Sequence, residues 1–368
     1  MKTASLVLVA RAFIIVSFAQ PSPDAVSITD LRRSAENGIA QAQNNLGSRY
    51  LHGDGVPQDY AEAAKWYRMA AEQGHPFAQA SFGLLNHNGQ GIPKDDAEAA
   101  KWYRKAANQG NTVGQRLLGY LYYGGEGVPK DFAEAARWYR KAADQGNEAA
   151  QFLLGSMYGQ GEGFPQNHGE AVRWYRKAAD QGEASAQSAL GYAYLKGLGV
   201  PQHYGEAAKW YRKAADQGDA SAQSYLGLLY ELGKGVPQDY AEAVKWYRKA
   251  ADQGDASAQS YLGLMYELGK GVPQDYAEAV KWYRKAADQG NAGAQFKLAF
   301  SYADGEGVLQ DYIQAHMWFN LSASRASVED RKVYSDSRDR MAAKMTTAQI
   351  AEAQRLAREW KPHVAHFR

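Results

Sequence analysis

The sequence predicts an all-α solenoid of eight 36-residue helix–turn–helix repeats with capping helices at both ends. Three observations predict it. Trp-Tyr pairs begin at Trp66, Trp102, Trp138, Trp174, Trp210, Trp246 and Trp282, and Trp318-Phe319 follows, each step being 36 residues. Around each pair stands the same frame, A-Q-x-x-L-G-x-x-Y-x-x-G-x-G-V-P-x-D-Y-x-x-A-x-x-W-Y-x-x-A-A-x-x-G. Apolar residues within the frame recur at helical spacing on two segments separated by a Gly/Pro turn. A fixed period of this length is the mark of stacked supersecondary units, each too small to bury its own apolar face.

The frame is clearest in residues 219–254. Ala222, Leu226, Leu229 and Tyr230 form one stripe of a first helix, helix A. Gly227 removes a side chain where a neighbouring helix approaches. Gly233 ends helix A in a left-handed conformation, and Gly235-Val236-Pro237 makes the turn, with Val236 a plug between the helices. Asp239 suits the N-cap or first turn of helix B. Ala243, Trp246, Tyr247, Ala250 and Ala251 make the buried stripe of helix B, and Gly254 stops it. Residues 219–254 and 255–290 differ only at Leu229 against Met265, a recent internal duplication.

The array spans 39–326. Residues 29–38 align with the end of a helix B and are expected to be an N-terminal half-repeat cap. Drift marks the eighth repeat, where Leu309 replaces Pro, Ala299 replaces Gly and Phe319 replaces Tyr. Beyond it, 327–344 is a charged helix. Thr346 to Gln349 fits a capping box, and Ile350, Ala353, Leu356, Ala357 and Trp360 form one apolar stripe ended by Pro362. The segment 327–368 is therefore read as C-terminal capping helices and tail.

Residues 1–19 carry Lys2, a mostly apolar run from Leu6 to Ala19, and Ser17-Phe18-Ala19 before Gln20. This is the pattern of a secretory signal, broken by Arg11, with 20–28 as a linker. It predicts a periplasmic or secreted chain. The alternatives are an uncleaved anchor, or a cytoplasmic protein with a misjudged start codon. No later segment is apolar enough to span a membrane, so the mature chain is expected to have no integral span.

Composition excludes several functions. Of 42 basic residues, Lys2 and Arg11 lie in the signal segment, leaving 40 against 40 acidic ones. A neutral mature chain has no electrostatic footprint for nucleic acid. Without Cys there are no disulfides, thiolate metal sites, Cys nucleophiles or lipid-modified Cys. The paired glycines, such as 89/91 and 233/235, follow no strand and lack the phosphate-loop spacing. His363 and His366 stand at i, i+3 in a polar tail, and His168 and His203 occupy turn positions usually held by Asp or Tyr. None is read as a metal ligand. Carboxylates such as Asp239 and Glu242 recur with the period and are architectural. No nucleophile motif and no asymmetric catalytic constellation stands out. The chain is expected to be non-enzymatic, with no cofactor.

The frame resembles the Sel1-like repeat family, relatives of tetratricopeptide repeats with a longer turn inside the hairpin. Leu226-Gly227, Gly233-x-Gly235-Val236, Ala243, Trp246-Tyr247 and Ala250-Ala251 carry the resemblance, and the segment from Met345 to Trp360 is similar to tails that follow the last repeat in bacterial members. The resemblance implies a right-handed superhelix with helix A lining the concave side. It also implies a role as adaptor, assembly factor or host-interaction protein. Some Cys-rich members are linked to β-lactam binding or hydrolysis, and the absence of Cys here counts against that activity.

Function is expected where the repeats differ. Frame positions assigned to the concave side of helix A are those of Ser224, Leu228 and Glu231, and they vary widely between repeats. Arg116, Tyr120, Tyr123, Phe152 and Tyr192 are expected to form an amphipathic patch, continued by Leu228 and Glu231, for a protein or peptide. The competing reading makes these aromatics inter-repeat filler. Helix B, with Glu242, Lys245, Arg248, Lys249 and Asp252, is read as a solvated convex face. The leading expectation is a monomeric scaffold that binds a protein through the concave face. The alternatives are a hydrolase of cell-wall or β-lactam compounds and a passive envelope component joined through helix B or the tail.

Overall fold

The computed structural model describes residues 27–362, which form nineteen helices and no strand. Residues 1–26 and 363–368 lie outside the described part, and with them the expected signal segment, most of the linker and the His363/His366 pair. The chain is an all-α solenoid. It divides into two compact units. The first runs to Ala186 and includes Leu198–Val200; the second holds Gln187–Gly197 and everything from Pro201.

The helices A are Ala40–His52, Pro76–Asn88, Thr112–Gly124, Glu148–Gln160, Ala184–Lys196, Ala220–Leu232, Ala256–Leu268 and Ala292–Asp304. The helices B are Tyr60–Glu72, Asp96–Asn108, Phe132–Asp144, His168–Asp180, Tyr204–Asp216, Tyr240–Asp252, Tyr276–Asp288 and Tyr312–Arg325. Each boundary has a local cause. Gly233, in the left-handed region at φ 63°, ends its helix A, and its N–H returns to the Leu229 carbonyl. Asp239 caps the following helix B by accepting from the Glu242 N–H at 2.9 Å. A cap of this kind contributes about 1 kcal/mol. Glu242 then pairs with Lys245 on the exposed face, and such surface pairs add only about 0.2–1 kcal/mol each.

The buried stripes are those the periodicity picks out. Ala243, Trp246, Tyr247, Ala250 and Ala251 are buried, as are Ala222, Leu226 and Leu229 of the helix A before them. Trp-Tyr pairs are therefore core, not ligand-stacking surfaces. From Trp102 to Trp282 each frame Trp is roofed by a Lys one turn on, as where the Lys249 ammonium lies 4.1 Å from the Trp246 ring centre. Successive repeats are also tied by a polar ladder. Gln253 Nε2 donates to Gln223 Oε1 at 2.8 Å, and Gln223 Nε2 donates to the Ala215 carbonyl at 3.0 Å. The same pair recurs from Gln73–Gln43 to Gln289–Gln259.

Beyond the repeats, Ile28–Glu36 buries Leu31 and Ala35 against the Leu46 and Trp66 of repeat 1. At the other end Arg331–Ala342 and Thr347–Glu359 pack on the last helix B, burying Met341, Ala353 and Ala357. Thr346 and Gln349 form the expected capping box.

Candidate functional site: the junction niches on the helix A side

The Gly-x-Gly turn has a role that composition alone does not reveal. A Cβ on Gly127 would lie 2.1 Å from the carbonyl oxygen of Asp96, the first residue of the helix B in the repeat before. Gly91 stands likewise over Tyr60, and Gly271 over Tyr240. Backbone meets backbone, so only Gly fits. The glycine pair is thus the hinge pin between repeats and not a phosphate cradle.

One consequence is a three-residue niche at these junctions. The residue between the two glycines is held over the start of the preceding helix B, beside the last turn of that repeat's helix A. Each niche is furnished differently. Between repeats 3 and 4, Tyr123 donates its hydroxyl to Glu162 at 2.8 Å and its ring lies 5.1 Å from Phe132. Between repeats 6 and 7 the corresponding residues are Glu231, Tyr240 and Lys270, with the Lys270 ammonium 5.1 Å from the Tyr240 ring. Between repeats 7 and 8 the niche opens into a hollow of about 240 Å³ lined by Glu267, Tyr276, Phe296, Lys297, Phe300 and Glu306. There Glu267 accepts from Tyr283 and pairs with Lys297 at 2.8 Å.

Between repeats 2 and 3 the niche holds His87, Asp96 and Glu126. His87 Nδ1 lies 2.6 Å from Asp96 Oδ1, and its Nε2 lies 3.8 Å from Glu126 Oε2. Tyr120 donates to Glu126 Oε1 at 3.3 Å and meets the His87 ring edge to face. Lys94 Nζ is 3.2 Å from Asp96 Oδ2. Sequence reasoning found no asymmetric polar constellation, yet this is one. A signal existed: no other repeat has His at the position of His87 or Asp at that of Asp96, where Tyr is usual, whereas Glu126 has acidic counterparts in Asp54, Glu162 and Glu306. Their convergence becomes visible only once the turn is seen lying on the preceding helix B.

The expected binding residues divide in two. Arg116, Tyr120, Tyr123 and Phe152 are all buried, so the expectation that they form an exposed patch is corrected: they lie in packing within and between repeats. The cause is local: each contact described for them is with a neighbouring helix or turn. Tyr120 and Tyr123 turn into the niches described above, and Phe152 packs 5.8 Å from the Tyr175 ring. Burial holds the Arg116 guanidinium below the ordinary arginine pKa, against opposing contributions from Tyr139, Tyr103 and Glu148. In the second compact unit Tyr192 is 39% exposed, and Leu228 and Glu231 are half-buried. Tyr225, Tyr261 and Leu264 share this partial exposure. Sequence reasoning passed over Tyr225 and Tyr261 because they sit beside the chosen frame position. Tyr225 stacks on Tyr211 and Tyr261 on Tyr247, each pair at 5.1 Å. Glu231 accepts from the Tyr247 hydroxyl at 2.7 Å, which, after burial, holds that phenol's pKa far above the usual range.

Known proteins place this arrangement in a class. Helical hairpins stacked at a 36-residue period define an α-solenoid of interaction-scaffold type. The Sel1 repeat model matches at 40–75, 76–111, 112–147, 148–183, 184–219, 220–255, 256–291 and 292–327, and the chain belongs to the Sel1 repeat family. It is similar to a Sel1 repeat protein from Oxalobacter formigenes, with 34% identity, 90% of this chain and 93% of that chain covered, and a TM-score of 0.63. It is also similar to a protective antigen of uropathogenic Escherichia coli that displays an SLR fold, with 35% identity, coverage of 90% and 86%, and a TM-score of 0.48. A comparison with curated proteins finds no match. No helix among the described residues is long and apolar enough to cross a membrane.

Proposed function

We propose that this chain is a non-catalytic scaffold that holds a protein or peptide on the helix A side of repeats 5–8, in the bacterial envelope or outside the cell. One observation carries the binding site. Tyr192, Tyr225, Leu228, Tyr261, Leu264 and Phe300 leave apolar and aromatic surface partly open there. Glu231 interleaves with them, and the Glu267 carboxylate lies alongside, paired with Lys297. Half-exposed aromatics on a rigid backbone anchor a partner at low entropic cost, and flanking carboxylates set its register. The ligand favoured is a peptide or protein edge with apolar side chains and at least one basic group. Location outside the cytoplasm rests on the apolar segment 6–19 and the small residues before Gln20; N-terminal sequencing of the purified native protein tests it.

Photo-crosslinking tests the site. A photoreactive residue at Leu264 should trap a partner in intact cells, and the same residue at Lys245, on the exposed face of helix B, should not. Trapping from Lys245 alone would move the binding surface to helix B, and with it the function to passive assembly through that face.

A further inference from the structure

We propose that His87 and Glu126, with Asp96 orienting the imidazole, bind a divalent transition-metal ion of the zinc class at the junction of repeats 2 and 3. The three side chains bring ligand atoms within 4.8 Å of one another. Their arrangement is ordered by role. Asp96 Oδ1, 2.6 Å from His87 Nδ1, accepts a hydrogen bond from the Nδ1–H and fixes the ring's tautomer, leaving the Nε2 lone pair directed away. This is the carboxylate–histidine pairing that orients imidazole ligands. Nε2 makes no hydrogen bond with a described residue. Its nearest carboxylate oxygen, Glu126 Oε2, is 3.8 Å away, too far for a hydrogen bond. Two ligands each about 2.0–2.2 Å from one ion span that separation.

The surroundings fit a bound cation. Tyr120, by donating to Glu126 Oε1, holds that carboxylate in place. His87 is buried, while the Asp96 and Glu126 side chains keep 22% and 20% exposure. An ion can therefore enter, and water can complete its coordination. Imidazole nitrogen with carboxylate oxygen selects zinc, nickel or cobalt over magnesium or calcium, which favour all-oxygen shells. The site belongs to one junction only. Where the frame repeats, the position of His87 carries Leu51, Tyr123, Gly159, Leu195, Glu231, Glu267 and Ala303. A feature written once in an eightfold repeat is not required by the architecture. A bound ion would pin the repeat 3 turn to helices A and B of repeat 2, stiffening the first compact unit. The inference is independent of the proposed partner site.

The test uses the full chain stripped of metal and titrated with Zn²⁺, Co²⁺ and Mg²⁺ in a calorimeter, with Co²⁺ absorption as a second readout. One Zn²⁺ should bind and raise the melting temperature, Co²⁺ should give a visible ligand-field spectrum, and Mg²⁺ should do neither. His87→Gln and Glu126→Gln should abolish binding, and Asp96→Asn, a positioning change, should weaken it roughly 10–100-fold. Glu126→Gln is nearly isosteric, so an unchanged melting temperature without metal shows that the fold survives. Binding retained in His87→Gln and Glu126→Gln would place the ion elsewhere, for example on His363 and His366. No binding to wild type would leave His87 as a hydrogen-bond partner of Asp96 only. Either result overturns the proposal.

Discussion

Gly227 faces the ring of Tyr247 at a separation no side chain could share. A Cβ added at Gly227 would lie 2.7 Å from Tyr247 Cδ1 and 3.2 Å from the Ala243 carbonyl oxygen. Gly263 meets Tyr283 and Ala279 in the same way. The contact fixes how closely helix A and helix B pack within a repeat. Gly227→Ala should therefore destabilise by about 1–3 kcal/mol through overpacking, despite the higher helix propensity of Ala. Urea denaturation followed by circular dichroism checks this, and a stabilised variant would show that the two helices can separate at little cost. Repeat 8 indicates how the fold tolerates Ala here: Ala299 stands opposite Phe319, whose ring has no hydroxyl to anchor it. Tyr283, by contrast, is tied to Glu267. In Gly263→Ala, adding Tyr283→Phe should recover part of the lost stability.

The glutamine ladder supports a second prediction. Gln223 is buried, accepts from Gln253 and donates to the Ala215 carbonyl. Gln223→Leu keeps the volume but leaves a buried carbonyl and an amide without their partner. A buried group so orphaned costs about 1–3 kcal/mol. The loss should appear in the midpoint of thermal unfolding, and Gln253→Leu, at the exposed end of the same pair, should cost less.

Much of this fold was legible because the sequence states it eight times. Gly233 as a left-handed stop, Asp239 as a cap and Trp246-Tyr247 as core follow from local rules that hold in any context. The site was not legible in the same way. Arg116, Tyr120, Tyr123 and Phe152 are buried, yet the positions of Tyr120 and Tyr123 are half-open in other repeats, as at Ser48, Leu51, Leu228 and Glu231. A frame assigns a direction to each side chain. It does not state which turn or helix B residue meets that side chain, and that contact decides whether a variable residue is surface or filler. The His87–Asp96–Glu126 niche was hidden for a related reason: its members are separated in sequence, and only the Gly127 contact with Asp96 brings the turn down onto them.

Two N-caps predict a pH dependence. Asp219 accepts from the Ala222 N–H at 2.6 Å, and Asp255 from the Ala258 N–H at 2.7 Å. Burial nevertheless raises both carboxyl pKa values above the ordinary aspartate range, outweighing their hydrogen bonds. A carboxyl raised on folding binds more protons in the folded state. These groups therefore lower stability as pH rises from the unfolded pKa through the folded one. Asn caps the same position at Asn111, Asn147 and Asn291. In Asp219→Asn/Asp255→Asn, the change in melting temperature relative to wild type should be more favourable at pH 7 than at pH 3. An equal change at both values would mean that burial leaves these carboxyls unperturbed.

Arg116 supports the last prediction. Its side chain is 3% exposed, and its guanidinium makes no hydrogen bond or ion pair with a described residue. Tyr103 and Tyr139, the rings whose electrostatic influence it feels, bury hydroxyls that are themselves without hydrogen-bond partners. A charge taken from water without a counterion costs several kcal/mol, and exchange of buried ionic groups for apolar ones of similar size is often neutral or stabilising by about 1–4 kcal/mol. Arg116→Met keeps most of the length and removes the charge, so its melting temperature should equal or exceed that of wild type. Arg116→Ala removes the packing as well and should be destabilising through the cavity it leaves. The pair separates charge from volume. If Met destabilises as much as Ala, the guanidinium has a counterion in solution, and an anion held between Tyr103 and Tyr139 becomes the group to identify.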